Sequence, residues 1–214
     1  VTCNKIACAD NFINYKTLKT VSRKFNSPFL FETNVGAGLP VIDTLSNLIA
    51  SGDQIIRIEA ILSGSLNYIF NNFKKDDTFH DIVEEAMKKG LTEPDPRIDL
   101  SGIDVARKIL ILARESGIDI ELDEVEINSF LPKEVCDLSD TDLFLESLKK
   151  HKSHFNSYLK SARANKSSLK YVARLNQGKA QVGLREIQSG HDFFNIEGSD
   201  NIILFYTKYL ENEK

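Results

Sequence analysis

Acidic side chains stand close together in the stretch LTEPDPRIDLSGIDVARK, which covers residues 91 to 108. Glu93, Asp95 and Asp99 lie in a segment that two prolines stiffen, because each proline fixes its own backbone and disfavours helical geometry in the residue before it. Rigid carboxylates of this kind can hold an ammonium group or a metal ion. The same carboxylates can also cap a helix locally, so the stretch has both a binding and a structural interpretation.

Asp104 and Lys108 are four residues apart, a spacing that brings both side chains to one face of a helix. An exposed pair of this kind stabilises a helix by only about 0.3–0.5 kcal/mol and commonly has no function. The sequence VARKILILA around Lys108 is otherwise apolar, apart from Arg107, which predicts a largely buried helix. A lysine and a carboxylate in such surroundings form a candidate proton-transfer site. Ser101 and Asp104 also resemble a capping box, and that interpretation stays open.

The composition narrows the class of protein. The 214 residues are 42% hydrophobic and 27% charged with a net charge of −4, which is typical of a globular protein without the basic excess that nucleic acid requires. No apolar run reaches the roughly 20 residues that span a bilayer, and the first residues lack the pattern of a signal peptide. We therefore expect a cytoplasmic protein that binds neither nucleic acid nor membranes.

The elements that must position these side chains follow from the spacing of hydrophobic residues. VTCNK predicts the end of a strand, with Lys5 at its carboxyl end, and DNFINYKTLKTVSRKF predicts a helix with Asp10 as its N-cap. PFLFETNV predicts a buried strand, and a Gly-rich turn then leads to a helix that ends at Gly52. This order of strand, helix, strand and helix indicates a parallel α/β unit.

The rest of the chain predicts further elements. A strand through Leu62 precedes a turn of small residues and a helix, and another helix ends at Gly90. The helix that carries Asp104 and Lys108 runs to about Gly117, and LDEVEI predicts a short strand. One or two amphipathic helices follow, then a β-hairpin around an Asn-Gln-Gly turn and a last strand, NIILFYTKYL.

The Gly-rich turn NVGAGLP follows a predicted strand and opens a helix. It matches the dinucleotide fingerprint only weakly, because Val41 stands where a third glycine is required. Two interpretations remain. The glycines either serve a tight turn, or they expose backbone that lines a ligand or cation site.

Four motifs in this order, VTCNK, ETNVGAGLPVI, ILSGSLNYIF and TEPDPRIDLSGIDVARK, closely resemble the homoserine dehydrogenase family. EIQSGHDFFNIEGSDNIILFYTKYL most resembles the form fused behind aspartokinase. The resemblance implies an oxidoreductase that interconverts L-homoserine and L-aspartate 4-semialdehyde with NADP or NAD, on the route to threonine and methionine. It implies an α/β fold, with a remnant of a Rossmann nucleotide-binding domain over residues 1–38. Residues 39–214 would form a substrate-binding, catalytic and dimerisation domain with a mixed or antiparallel sheet and flanking helices.

The resemblance also implies roles for single residues. Lys108 matches the proton-transfer lysine, Asp104 matches the acid beside it that helps to bind substrate, and Lys5 matches a lysine near the nicotinamide and the substrate oxygen. A lysine at that oxygen can act as base in one direction and as acid in the other, and a second lysine would stabilise a developing alkoxide.

Three further positions match substrate contacts of the family: Glu93, Asp99 and Ser65. Gly90 matches a cofactor-side position, so the implied cofactor contacts are Lys5, Gly90 and Glu93.

A monovalent cation, Na⁺ or K⁺, is implied in the Gly-rich turn, whose matching residues are Glu32, Val35, Ala37 and Leu39. The chain departs from the family pattern at Ile98, where an Asp is usual, and at Leu91, where a Tyr is common.

Two other functions remain open from the residues alone. A divalent-metal hydrolase could use Glu93, Asp95 and Asp99, although no His lies near them in the sequence. A non-catalytic dimerisation module could associate through a sheet face around YVARL and QVGLREI, the segments that contain Tyr171 and Leu184. Because the family fingerprint G-x-G-x-x-G belongs upstream of VTCNK, we expect this chain alone to bind cofactor poorly and to turn over little.

Overall fold

Helices flank a mixed five-stranded sheet in the computed structural model, which describes residues 1–74 and 77–211. Several of the helices carry apolar residues at helical spacing and bury that face, most completely the helix Ile103–Glu115. In chain order the helices are α1 (Ile6–Ala9), α2 (Phe12–Lys24), α3 (Val41–Ala50), α4 (Gly64–Asn72), α5 (Phe79–Lys88), α6 (Pro96–Leu100), α7 (Ile103–Glu115), α8 (Lys133–Cys136), α9 (Thr141–Lys150), α10 (Lys152–Ala164) and α11 (Lys208–Glu211). Short 3-10 helices occupy Glu32–Asn34 and Leu122–Glu124.

The strands are β1 (Ile55–Ile61), β2 (Glu126–Asn128), β3 (Ser167–Asn176), β4 (Lys179–Gln188) and β5 (Ile202–Thr207). Their order in the sheet is β2-β4-β3-β1-β5, and the pairing is antiparallel except between β2 and β4. Gln177 and Gly178 join β3 to β4, and both have positive φ angles, 50° and 77°. This geometry is typical of the two-residue turn that matches strand twist, and the predicted hairpin is confirmed.

The main hydrophobic core lies between the helices and one face of the sheet. Ile58, Ala60, Tyr171 and Ala173 point to this side from β1 and β3, where they meet residues of α7 and other helices. Tyr171 is 2% exposed, and Leu184 is partly buried against the same core. Tyr171 and Leu184 therefore lie on the face that packs in the interior, and association of two copies through the sheet stays a prediction.

The opposite face of the sheet carries a smaller hydrophobic cluster. Ile61, Val172, Ile187 and Phe193 are buried there. Phe194, Ile196, Ile202 and Leu204 pack around them and are only partly buried. Within the described residues, no helix belongs to this cluster.

The predicted strands at the front of the chain are wrong, since residues 1–54 are all described and contain no strand. A main-chain hydrogen bond of 2.9 Å from Thr2 N to Leu30 O joins the two segments, but a strand needs a continuing ladder of such bonds. Lys5 occupies the N-cap position of α1 and does not end a strand. Asn11 caps α2 in place of Asp10, because its side chain accepts a hydrogen bond from Asn14 N.

The acidic stretch forms a short helix and then the long helix α7. Pro96 begins α6, where its missing N–H costs no hydrogen bond, and Asp95 caps it by accepting from Arg97 N. The predicted capping box is wrong, because the Asp104 carboxylate faces lysines and Gly102 occupies the N-cap position of α7. Gly102 has a φ of 75°, and a Cβ there would overlap the Tyr171 hydroxyl. A glycine therefore lets α7 begin directly against the sheet.

Candidate active site

The Asp104 carboxylate lies between two lysine ammonium groups. Its Oδ1 is 3.1 Å from Lys5 Nζ and its Oδ2 is 2.8 Å from Lys108 Nζ. Lys108 Nζ also donates a hydrogen bond of 2.6 Å to the Leu62 carbonyl. An ammonium group has three donors, so Lys108 keeps one N–H for a ligand. The side chain of Lys108 is 16% exposed and that of Lys5 is 28% exposed, which leaves both groups within reach of a small molecule.

Two opposing effects set the pKa of Asp104. Burial alone would raise this pKa, but the charges of Lys108 and Lys5 and their hydrogen bonds outweigh it and lower the pKa below its ordinary value. The carboxylate is therefore ionised at neutral pH. With two ammonium groups around one carboxylate the set has a net positive charge, which favours a negatively charged oxygen nearby.

Arg114 fixes the segment that carries Lys5 against α7. Its side chain is buried, and it donates to the carbonyl oxygens of Cys8 at 2.9 Å and Asp10 at 2.6 Å. It also pairs with the Glu121 carboxylate at 2.9 Å. Cys8 lies in α1, so these bonds fix the position of the helix whose N-cap residue is Lys5. Sequence reasoning missed Arg114, although an arginine within the apolar run ILILARE was a signal for a buried cation that needs partners.

A second set of contacts joins Ser65 and Asp99 to the main chain of Glu93. Ser65 Oγ donates to Asp99 Oδ1 at 2.7 Å, and Glu93 N donates to Asp99 Oδ2 at 2.9 Å. Glu93 is exposed, and within the described residues its carboxylate forms neither a hydrogen bond nor an ion pair. The structure thus brings Ser65, Asp99 and Glu93 together, and it leaves the Glu93 carboxylate open to a ligand.

The carboxylates proposed for a metal hydrolase do not converge. Asp95 pairs with Arg97 at 2.6 Å and caps α6, whereas Asp99 binds Ser65 and Glu93 N. Over residues 1–74 and 77–211, no group of three or more His, Cys, Asp or Glu side chains is arranged to hold a metal ion. The hydrolase interpretation has no support in this part of the chain.

The Gly-rich turn contains a helix cap that the sequence did not reveal. Glu32 accepts hydrogen bonds from Ile42 N at 2.7 Å and Asp43 N at 2.9 Å, so its carboxylate caps the N-terminus of α3. Gly36 and Ala37 have φ angles of 78° and 53°, which confirms a tight turn. A cation bound in this turn would therefore meet a Glu32 carboxylate that already accepts two main-chain N–H groups.

Gly90 ends α5 with a φ of 67°, and Leu91 N closes the helix by donating to Ala86 O. Within the described residues, no hydrogen bond joins Gly90 or the turn of residues 32–39 to Lys5, Asp104 or Lys108. Their predicted roles stay predictions. None of the helices in the described part of the chain has the length and apolar character needed to cross a membrane.

Comparison with known proteins gives the family. The family model described as homoserine dehydrogenase matches residues 40–212. The chain belongs to the homoserine dehydrogenase family. The match confirms the family resemblance of the motifs. The family is one of NAD(P)-dependent oxidoreductases.

Relatives and solved structures agree with this assignment. A bifunctional aspartokinase/homoserine dehydrogenase of Haemophilus influenzae is 41% identical over 211 residues, which are 99% of this chain and 26% of that protein. A chloroplastic one of Zea mays is 43% identical over 215 residues, 100% of this chain and 23% of that protein. The chain thus spans about a quarter of the length of these curated relatives.

Among solved structures, a Candida auris protein of unknown function superposes with a TM-score of 0.91 at 35% identity, over 99% of this chain and 61% of that one. A hyperthermophilic archaeal homoserine dehydrogenase in complex with NADPH gives a TM-score of 0.71 at 27% identity, over 98% of this chain and 54% of that one. The predicted mixed sheet with flanking helices is confirmed.

The Asp104 carboxylate should make the free energy of unfolding depend on pH. Asp104→Asn should lower the free energy of unfolding by about 1 kcal/mol at pH 7, because two lysines lose their anionic partner. The folded-state pKa of Asp104 is lowered, so its contribution is present above the unfolded value of about 3.9 and is lost as pH falls through the folded value. The difference between variant and parent should therefore be constant from pH 8 to 5 and shrink below about pH 4.

Urea unfolding across this pH range measures the effect. Asp119→Asn is the matched control, because Asp119 is 65% exposed and pairs with Lys16 on the surface. An Asp104→Asn variant as stable as the control at pH 7 would contradict the account.

Proposed function

We propose that this chain supplies the substrate-binding and proton-handling part of an enzyme that interconverts L-homoserine and L-aspartate 4-semialdehyde. The observation that carries the proposal is the pair of ammonium groups of Lys5 and Lys108, held by one carboxylate in a chain of this family. A reaction that creates or removes charge on a substrate oxygen requires a nearby proton donor and a nearby positive charge. These two lysines provide both.

The roles follow from the contacts. In the direction of reduction, the free N–H of Lys108 donates a proton to the aldehyde oxygen, and Lys5 stabilises the negative charge that develops there. In the direction of oxidation, the unprotonated Lys108 amine accepts the hydroxyl proton. Asp104 keeps both lysines in place. The open carboxylate of Glu93 holds the substrate ammonium group, which orients the reacting carbon.

When bound, the nicotinamide cofactor NADP or NAD would accept the hydride in the direction of oxidation and donate it in the direction of reduction. We assign Lys5, Gly90 and Glu93 to the cofactor side of the site, on the family resemblance. The similar archaeal homoserine dehydrogenase, solved in complex with NADPH, supports a nicotinamide cofactor of this kind. We also keep a monovalent cation in the turn of residues 32–39 as part of the proposal, at the four positions that the family resemblance implies, Glu32, Val35, Ala37 and Leu39.

We propose that residues 1–38 belong to the nucleotide-binding domain and residues 39–214 to the substrate domain, as the family resemblance implies. The family match, which starts at residue 40, supports this boundary. A cytoplasmic location remains our proposal, and the Zea mays relative is named chloroplastic.

We further propose that two copies associate through the sheet face opposite the helices. Glu59 lies on this face, 12% exposed, with Arg174 Nε at 3.1 Å and His191 Nε2 at 3.5 Å. Arg185 lines the same cavity of about 420 Å³. Carboxylate and arginine groups on one face can pair across a two-fold axis, since such an interface puts the same patch on both subunits. The partly buried cluster around Ile202 and Leu204 would supply apolar contact.

Lys108→Met tests the reaction. NADPH-dependent reduction of L-aspartate 4-semialdehyde is measured for the chain and for the longest reading frame that contains it. We expect little turnover from the chain alone. In the active form Lys108→Met should lower kcat by about 10²–10⁴-fold, because it removes the proton donor. Lys88→Met is the control, since Lys88 is 76% exposed on α5. A Lys108→Met enzyme with the control's kcat would refute the role of Lys108, and an inactive reading frame would refute the function.

Arg174→Glu tests the association. It places a carboxylate beside Glu59, so two copies should repel each other and the sedimentation coefficient should fall to that of a monomer. Lys88→Glu, an equal charge change on α5, should leave the coefficient unchanged. Unaltered sedimentation of Arg174→Glu, or a monomeric unmodified chain, would show that this face is not the interface.

A further inference from the structure

Three hydrogen-bonding side chains form a row that ends at the main chain of Glu93. The Ser63 and Ser65 hydroxyl oxygens are 2.9 Å apart, and Ser65 Oγ lies 2.7 Å from Asp99 Oδ1. Ser63 and Ser65 are 8% and 6% exposed. Glu93 N closes the row by donating to Asp99 Oδ2. The family resemblance drew no attention to Ser63, and it assigned Ser65 and Asp99 to the substrate itself.

The protons of this row have one consistent arrangement. Leu66 N donates to Ser63 Oγ at 3.2 Å, which makes Ser63 the N-cap of α4. The only proton of the Ser65 hydroxyl goes to Asp99, so Ser63 must be the donor to Ser65. Both hydroxyl protons thus point toward the Asp99 carboxylate. Each Asp99 oxygen has a protein donor, and one of these donors is the Glu93 amide.

The segment that carries the two serines is itself fixed on both sides. Leu62, immediately before Ser63, accepts the hydrogen bond from Lys108 Nζ. A Cβ on Gly64 would lie 2.9 Å from the Ser199 carbonyl oxygen, so the main chain packs closely against the loop before β5. Asn67 donates to the Asp200 carbonyl at 3.0 Å on the same side. One rigid segment therefore contacts Lys108 at one end and, through Ser65 and Asp99, Glu93 at the other.

We propose that Ser63, Ser65 and Asp99 are positioning residues, which hold the Glu93 main chain at a fixed place relative to Lys108. This rests on the proposed function for the substrate role of the Glu93 carboxylate. Asp99 acts through Glu93 in this arrangement and does not hold the substrate by its own charge. The distinction matters because a positioning residue needs its hydrogen-bond geometry, whereas a residue that binds an ammonium group needs its charge.

Asp99→Asn and Asp99→Ala separate these two roles. An Asn side chain can still accept from Glu93 N, and its amide can donate to Ser65, whose hydroxyl then turns to Ser63. Both variants are made in the active, longer reading frame. We expect Asp99→Asn to keep the KM for homoserine within about threefold of the parent, and Asp99→Ala to raise it about tenfold, as for a lost hydrogen bond to a charged group. kcat should change little in either variant. Equal rises in KM for both variants would overturn the proposal in favour of direct charge contact.

A double-variant cycle gives a second readout. In a Glu93→Gln background Asp99→Ala should add little to the KM for homoserine, because its effect passes through Glu93. The same tenfold factor in both backgrounds would contradict the positioning role. Ser101→Ala is the control on the same segment, since the exposed Ser101 hydroxyl donates to Ile98 O, accepts from Ile103 N and, within the described residues, forms no hydrogen bond with Asp99 or Glu93.

Amide hydrogen exchange tests the row without reference to activity. The Glu93 amide should exchange slowly in the parent and in Asp99→Asn, and about tenfold faster in Ser65→Ala and Asp99→Ala. Ser65→Thr should restore slow exchange, because it keeps the hydroxyl. Unchanged exchange in Ser65→Ala would overturn the proposal. If the longest reading frame that contains the chain shows this exchange pattern but no dehydrogenase activity, the proposed function alone is refuted.

Discussion

One carboxylate shared between two ammonium groups holds the candidate site together. Lys5 and Lys108 come from distant parts of the chain, and without Asp104 between them their charges would repel. The carboxylate joins Lys5, the N-cap residue of α1, to α7, and the three groups together carry a net positive charge. Structure and chemistry thus depend on the same contact.

The rest of the fold fixes the two partners of that contact. α7 is buried along most of its length and begins at Gly102, whose backbone lies against the Tyr171 hydroxyl on the sheet. Its last turn carries Arg114, which binds carbonyl oxygens at and just after the end of α1. α7 therefore holds the Lys5 segment at both ends, by an ion pair at Asp104 and by hydrogen bonds from Arg114. Side chains held on packed elements in this way are more precisely placed than side chains on loops.

Local patterns predicted the elements whose partners are near in sequence. The β3–β4 hairpin follows from alternation and a Gln-Gly turn, and the buried α7 follows from its apolar run. The front of the chain was predicted wrongly, because VTCNK and PFLFETNV have the composition of strands but make only sparse main-chain contact with each other in the described residues. The choice of Asn11 over Asp10 as the cap of α2 depends on a single residue of register, which spacing does not resolve.

How far the sequence predicted the site differs from residue to residue. The spacing of Asp104 and Lys108 indicated the pair directly. Glu93 was one of three candidate carboxylates and Lys5 a predicted strand-end residue, and only the family resemblance gave each of them a specific role. Ser63 left no functional pattern in the sequence, because its row with Ser65 is completed only by Asp99, far along the chain. The buried cation of Arg114 could be expected from its apolar run, but its main-chain partners at Cys8 and Asp10 could not. The capping box failed for the same reason, since the Asp104 carboxylate binds Lys5 in preference to its own helix terminus.

The most direct test of the central claim is an NMR titration of the protein, labelled with ¹⁵N in its lysine side chains, with L-homoserine. If the two ammonium groups form the binding site, the Nζ signals of Lys5 and Lys108 should shift together and saturate at one homoserine concentration. Lys19 on α2 pairs with Glu115 on α7 and not with Asp104. Its signal should therefore stay in place. Stationary Lys5 and Lys108 signals at saturating homoserine, or an equal shift at Lys19, would contradict the account.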